Sequence, residues 1–225
     1  RRYSVNRPWK VPVKRAADEM KRFNSDFLSL LEGFSLETLE DHPHSTYAVS
    51  PALCLIYLNP AWFRFAQDNA GEPAISTRFG IGTPLCAAIA EPLREFYHGA
   101  YKHALQTGEA WHHDYECSSA DVYRRYHQTA YPFHNRSGLL VINSLVQEQL
   151  HRPAGRPPWP PDEGRYTGPY GLILQCCHCR RVQRTAEPEL WDWVPAWVER
   201  MPFNTTGGLC PVCYEYYWKH RAQAG

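Results

Sequence analysis

Two short cysteine pairs, Cys176-Cys177-His178-Cys179 and Cys210-Pro211-Val212-Cys213, constrain this chain more than any other feature. Each holds a C-x-x-C, and thirty residues separate them. The two-residue spacing lets a tight turn aim both sulfurs at one point, and two such knuckles bring four thiolates to tetrahedral reach of one Zn²⁺. Gly207 and Gly208 give the second knuckle a flexible approach. The pattern predicts a closed structural zinc site of Cys176, Cys179, Cys210 and Cys213, with no coordination position left for a catalytic water. Cys177 and His178, inside the first knuckle, are either bystanders or replacements for a knuckle cysteine. A competing reading is a thiol–disulfide pair, which asks for a C-x-x-C opening a helix in a βαβ setting that the sequence does not show. A redox sensor that releases zinc as its thiols oxidise is a further alternative.

The other three cysteines, Cys54, Cys86 and Cys117, stand alone in apolar or aromatic surroundings and read as small buried hydrophobes. Eight cysteines in 225 residues is not the density of a disulfide scaffold. A hydrophobic share of 44% and an aromatic share of 14% supply a real core. Lys plus Arg total 24 against 23 Asp plus Glu, and the resulting net charge of +1 argues against a protein held to nucleic acid by global charge. No apolar run reaches transmembrane length and no signal-peptide core stands near residue 1, so the expectation is a cytoplasmic protein with no membrane partner.

Residues 1–41 form a basic arm and an amphipathic helix. The arm (Arg1, Arg2, Arg7, Lys10, Lys14, Arg15) reads as solvated, with an anionic contact as the alternative. Over 16–32, Met20, Phe23, Phe27, Leu30 and Leu31 repeat at helical spacing, which serves either a homodimer seam or packing on the chain's own core. Strands are expected at 45–49 and 53–58, then a short helix opened by Asn59-Pro60. A loop over 69–84 precedes a long helix over 85–105 with the stripe Ile89, Leu93, Phe96, Ala100, Ala104 and a kink at Pro92. Three strands follow, over 110–117, 122–133 and 139–146. Five prolines near 149–165 read as a semi-stiff linker to a small cysteine-bearing domain at 166–225.

This order makes residues 42–148 an α+β domain with a five-stranded antiparallel sheet. It resembles the PAS family of sensor domains. The residues that carry the resemblance are Leu55-Ile56-Tyr57-Leu58-Asn59-Pro60-Ala61-Trp62, the stretch from Gly108 to Tyr131, and Gly138 to Ser144. The resemblance implies a cupped sheet whose concave face meets the helices and holds any ligand. Strand alternation puts Trp111, His113, Tyr115 and Cys117 on one face, as candidate ligand-binding residues or as an ordinary core face. His112, Asp114 and Glu116 take the other, water-facing side. His103, at the edge of the helical stripe, is the candidate axial ligand for haem, with His98 solvated. A lone His is weak support for haem, no C-x-x-C-H is present, and the family's flavin motif Asn-Cys-Arg-Phe-Leu is absent, so haem and flavin are disfavoured.

The stretch 171–218 resembles a zinc-ribbon-like cysteine-rich module appended to PAS or receiver domains in bacterial signalling proteins. The match runs through Cys176-Cys177-His178-Cys179-Arg180-Arg181-Val182, Trp191 and Gly208-Leu209-Cys210-Pro211-Val212-Cys213. Trp191, Trp193 and Trp197 form either an aromatic cage or stacking platform, or the core of a small domain. Arg180, Arg181 and Arg184 are candidates for phosphate contact. The leading expectation is a bacterial sensor and signal-transduction protein, not an enzyme, which binds a small ligand or signalling partner and relays through its zinc module. The alternative is a nucleic-acid-binding transcriptional regulator that uses the ribbon and the basic arm.

Overall fold

The computed structural model describes residues 22–31, 33–151 and 155–219. Its first unit is a five-stranded antiparallel sheet in the order β2-β1-β5-β4-β3, from β1 (Ser45–Val49), β2 (Leu55–Leu58), β3 (Trp111–Glu116), β4 (Val122–Pro132) and β5 (Leu139–Leu150). Helices α1 (Leu36–Asp41), α2 (Pro60–Asp68), α3 (Ala74–Arg78) and α4 (Glu91–Thr107) accompany it. An α+β class with this sheet is consistent with the PAS-like expectation. β1 and β2 are buried on both faces, which is why they read as nearly continuous apolar runs. Tyr47, Val49, Leu55 and Leu58 join the core beneath α4, whereas Ala48, Ile56 and Tyr57 join the opposite cluster around Phe27 and Phe133.

Residues 22–31 do not form the expected helix, and Met20 and the basic arm lie outside the described residues. The segment 22–24 instead pairs with the free edge of β2: Asn24 N–H donates to Ile56 C=O, and Leu58 N–H to Arg22 C=O. The edge thereby loses its unpaired backbone groups. The Asn24 side chain then caps a short 3₁₀ turn, Ser25–Leu30, by accepting from Phe27 N–H at 3.0 Å. Phe27 is fully buried and stacks on Tyr57 with ring centroids 4.4 Å apart. Phe23, Phe27, Leu30 and Leu31 therefore pack on this chain's own core.

Asn59 fixes the start of α2. Its Oδ1 accepts from Thr46 N–H at 2.9 Å and Trp62 N–H at 3.0 Å, and its Nδ2 donates to His44 C=O at 2.9 Å. This fully buried side chain therefore joins β1, the α2 N-terminus and the loop before β1. Asn59→Ala strands two buried N–H groups and a carbonyl. The expected cost is at least about 2 kcal/mol, read as a fall in urea midpoint without a change in slope.

The long helix differs from expectation in its start and its face. Leu85–Ala88 is a separate 3₁₀ turn, and α4 begins at Glu91, so Pro92 sits in the first turn instead of kinking a continuous helix. The buried stripe is Leu93, Tyr97, Tyr101, Ala104 and Leu105, because tyrosines carry the core contact. His103 lies two residues beyond Tyr101, on the opposite side of the helix, and is exposed. It is not placed to meet a ligand in the cup. Cys54, Cys86 and Cys117 are only half-buried.

The second unit is a four-stranded sheet ordered β8-β7-β6-β9, from β6 (Ile173–Cys176), β7 (Val182–Gln183), β8 (Trp191–Asp192) and β9 (Thr205–Gly208). Helices α5 (Glu163–Tyr166), α6 (Pro195–Glu199) and α7 (Pro211–Trp218) surround it. Trp193 and Trp197 are buried, with Trp197 edge-on to Tyr166, so these rings form core and not an open cage. The Pro-rich segment is not a free spacer among its described residues. β5 runs on to Leu150 opposite Val122, Arg156 grips Glu116, and Pro158 bridges to Trp193. Prolines fix its direction, and these contacts hold both ends.

Candidate metal centre and its contact with the first sheet

The first knuckle is the turn between β6 and β7. Cys176 N–H donates to Arg181 C=O and Arg180 N–H returns to Cys176 C=O. Arg180 adopts φ of +62°, the left-handed conformation that closes the turn. The second knuckle is the start of α7: Cys210 is the N-cap, Pro211 occupies the first turn, and Cys213 points from that same turn. Parallel pairing of β6 with β9 carries the two knuckles together. The approach is close: a Cβ on Gly207 would sit 2.7 Å from Cys177 Sγ and one on Gly208 2.7 Å from Leu174 Cδ1, so a larger residue at either position displaces those side chains.

The four sulfurs of Cys176, Cys179, Cys210 and Cys213 lie within 4.8 Å of one another, and all four residues are buried. None is in a disulfide. The Cys179–Cys210 sulfur separation is 3.8 Å. Four thiolates about 2.3 Å from one ion at tetrahedral angles would stand about 3.8 Å apart, so donor set and spacing are compatible with zinc. Toward protons the four differ. Hydrogen bonds from Cys179, Cys210 and Cys213 pull Cys176 below the ordinary thiol range, while its bond to Cys176 pushes Cys213 above it. A dication is what would hold all four as thiolates.

Cys177 and His178 stand outside the cluster. Cys177 packs into the first unit's core, and burial raises its thiol pKa. His178 Nδ1 pairs with the Tyr217 hydroxyl at 2.7 Å. Of the three arginines considered for phosphate, Arg184 is committed: its Nε and Nη2 donate to both oxygens of Asp192 at 2.7 and 3.0 Å, and its Nη1 to Glu187. The Nε of Arg180 is buried with no hydrogen-bond partner, as is the indole Nε1 of Trp191, a residue that packs against the cysteines.

α7 leaves the metal centre and packs into the first unit. Tyr217 is buried there, with Phe96 at 4.8 Å and His113 at 5.2 Å between ring centroids. The neighbouring Tyr216 hydroxyl donates to Asp114 C=O at 2.7 Å. No local feature of the sequence announced this seat; the one signal was the run of aromatics after the second knuckle.

The four candidate ligand residues of β3 have separate surroundings. Trp111 and His113 stack 5.4 Å apart among Phe96, Tyr97 and Tyr217. The Tyr115 hydroxyl donates to Asn143 Oδ1 at 3.0 Å, part of a buried chain in which Tyr101 donates to Gln128 and Gln128 to Asn143. Cys117 lies just past the strand end, its N–H bonded to Arg124 C=O. The buried polar groups on this face of the sheet thus largely satisfy one another. On the other side, Glu116 departs from the water-facing expectation: its carboxylate is buried against Arg156, whose two terminal nitrogens donate to its two oxygens. A cleft of about 390 Å³ opens between this end of β3–β4 and the knuckles, with Tyr123, Arg125, Arg181 and Tyr216 on its walls.

His113 carries a pH dependence. Burial, and then the nearby His178, lower its pKa to about 4, and its Nε2 is buried without a partner. The unfolded chain binds this proton below about 6.5 and the folded chain only below about 4, so stability falls as pH drops through that window. The largest loss is about 3 kcal/mol. Denaturation of the wild type and His113→Phe at pH 7 and pH 5 checks this, and the variant should lose less between the two.

No family model matches the chain, and no curated protein matches it. Solved structures resemble part of it. A domain of an HTR-like protein from Haloarcula marismortui is 18% identical, with 47% of this chain and 99% of that one covered and a TM-score of 0.34. The PAS domain of nitrogen regulation protein NR(II) from Vibrio parahaemolyticus is 15% identical, with 50% and 99% covered and a TM-score of 0.30. A VqmA dimer from Vibrio cholerae, described in the absence of target DNA, is 11% identical, with 50% of each chain covered and a TM-score of 0.35.

Proposed function

We propose that this chain is a signalling protein in which a PAS-like sheet senses a small ligand or a partner and a zinc-held module relays the event through protein interaction. It binds and relays; it does not catalyse. The observation that carries this reading is the path of α7, which starts on Cys210 and Cys213 and ends with Tyr217 seated against Phe96 and His113 of the first unit. One eight-residue helix is thus held by the metal centre at one end and by the sensor core at the other. A ligand in the cleft beside Arg125 and Arg181 would touch both units, and its binding would bias how they are joined. Among the described residues no helix is long and apolar enough to cross a membrane.

Hydrogen exchange on zinc-loaded and chelator-stripped protein tests the relay. Stripping is expected to speed exchange in β3 and α4 as well as in residues 166–219. Acceleration confined to 166–219 would show that the units are not coupled, and the reading would fail.

A thiol-redox reading gains one observation: Cys210-Pro211-Val212-Cys213 does open a helix. Oxidation would pass two electrons from two thiolates to hydrogen peroxide, which takes two protons from solvent and leaves as two waters, while one disulfide forms and the metal is freed. Peroxide-dependent zinc release that a thiol reductant reverses would favour it.

A further inference from the structure

A second group of metal-ligating side chains sits on the β3–β4 hairpin, apart from the cysteines. Register sets Asp114 opposite His127 and His112 opposite Thr129, so His112 and His127 are diagonal neighbours on one face. Asp114 Oδ1 lies 2.7 Å from His127 Nδ1. An ionised carboxylate only accepts, so His127 carries its proton on Nδ1 and presents a lone pair at Nε2. That Nε2 faces His112 Nδ1 at 3.3 Å. His112 Nδ1 also lies 3.1 Å from Thr129 Oγ1. Because that Nε2 can only accept, His112 Nδ1–H donates across the gap, and a cation would take the place of this one proton between the two nitrogens.

The gap has the dimensions of a metal bite. Two imidazole nitrogens, each about 2.0–2.1 Å from one ion at a near-tetrahedral angle, stand about 3.3–3.4 Å apart. The carboxylate behind His127 stands where carboxylates orient metal-bound histidines and raise their basicity. The side chains of His127 and Asp114 are 39% and 40% exposed and His112 is exposed, so water can fill the remaining positions. We propose that His112 Nδ1 and His127 Nε2 bind a divalent transition-metal ion on the surface of this hairpin, with Asp114 positioning His127.

The test is calorimetric titration of the zinc-loaded full chain with Ni²⁺. One Ni²⁺ per chain should bind beyond the cysteine-held metal. His112→Ala and His127→Ala should each weaken it by more than about tenfold, and Asp114→Asn by about 10–100-fold. His42→Ala, which alters another pair of neighbouring histidine rings (5.4 Å between centroids), should leave it unchanged. Retained zinc and an unchanged circular dichroism spectrum certify each variant's fold, and His127→Gln replaces any alanine variant that does not fold. Absence of Ni²⁺ binding to the zinc-loaded wild type, or binding insensitive to both histidines, overturns the proposal. Neither result depends on the relay between the two units.

Discussion

Cys213→Ser is expected to lose the stoichiometric metal and, with it, the folded state of the unit built on β6–β9. The reason is the composition of that unit's interior. One of its clusters of buried residues is Tyr166, Ile173, Val182, Val194 and Trp197, and the other is the four cysteines themselves. A core this small leaves little margin without a staple. Structural zinc supplies about 10–16 kcal/mol in small finger peptides, and three thiolates with one serine hold it far less tightly. The loss should reach the first unit too, because α7 would release Tyr217 from beside Phe96 and Tyr97. Elemental analysis should read less than one metal per chain, and near-ultraviolet circular dichroism should lose tyrosine and tryptophan intensity. Cys177→Ser is the control: this cysteine stands outside the tetrad against Gly207, and its variant should keep the metal. A Cys213→Ser protein with one tightly bound metal and an unchanged melting transition would sink the assignment of this cysteine as a ligand.

What could be read in advance divides by the range of the contacts. The knuckles were legible because each is an i, i+3 pair, and the structure gathers all four cysteines that the spacing singled out. The strands were legible because alternation and turn residues are local, and Asn59-Pro60 marked the start of α2 for the same reason. Illegible features depend on partners far away in the chain. The stripe from Phe23 to Leu31 looked helical, but the open edge of β2 claimed residues 22–24 as an extended segment. His103 was misjudged because the stripe was drawn through alanines, whereas Tyr97 and Tyr101 define the buried face. The Pro-rich run was read from its prolines alone, which say nothing of what Arg156 reaches across forty residues. Each error comes from a local preference that a tertiary partner outweighed.

That arginine supports the second large effect: Arg156→Ala is expected to cost about 3–5 kcal/mol and to uncouple the two units. The side chains of Arg156 and Glu116 are 9% and 6% exposed, and they pair through both guanidinium nitrogens. Burial alone would lower the arginine pKa; the hydrogen bonds it donates to Glu116, and the charge of that carboxylate, outweigh it and hold the guanidinium firmly charged. The same guanidinium lies 5.1 Å from the ring centroid of Tyr123 on β4 and 5.5 Å from that of Trp193 in the second unit. One side chain therefore touches the first sheet, the second unit and the segment between them. Truncation leaves the Glu116 carboxylate buried and unpaired, which is where most of the cost arises. Arg156→Lys should recover only part, since an ammonium cannot match a carboxylate through two parallel bonds or stack as a plane on Tyr123. The informative comparison is Arg156→Met with Glu116→Leu. Removing both charges should restore much of the stability lost in the single variant. Urea unfolding of the wild type is expected to give one transition and Arg156→Ala two, the unit carrying the metal centre separating from the five-stranded sheet. A single, unshifted transition in Arg156→Ala would mean that α7 and the other contacts join the units and that the buried pair adds nothing to their coupling.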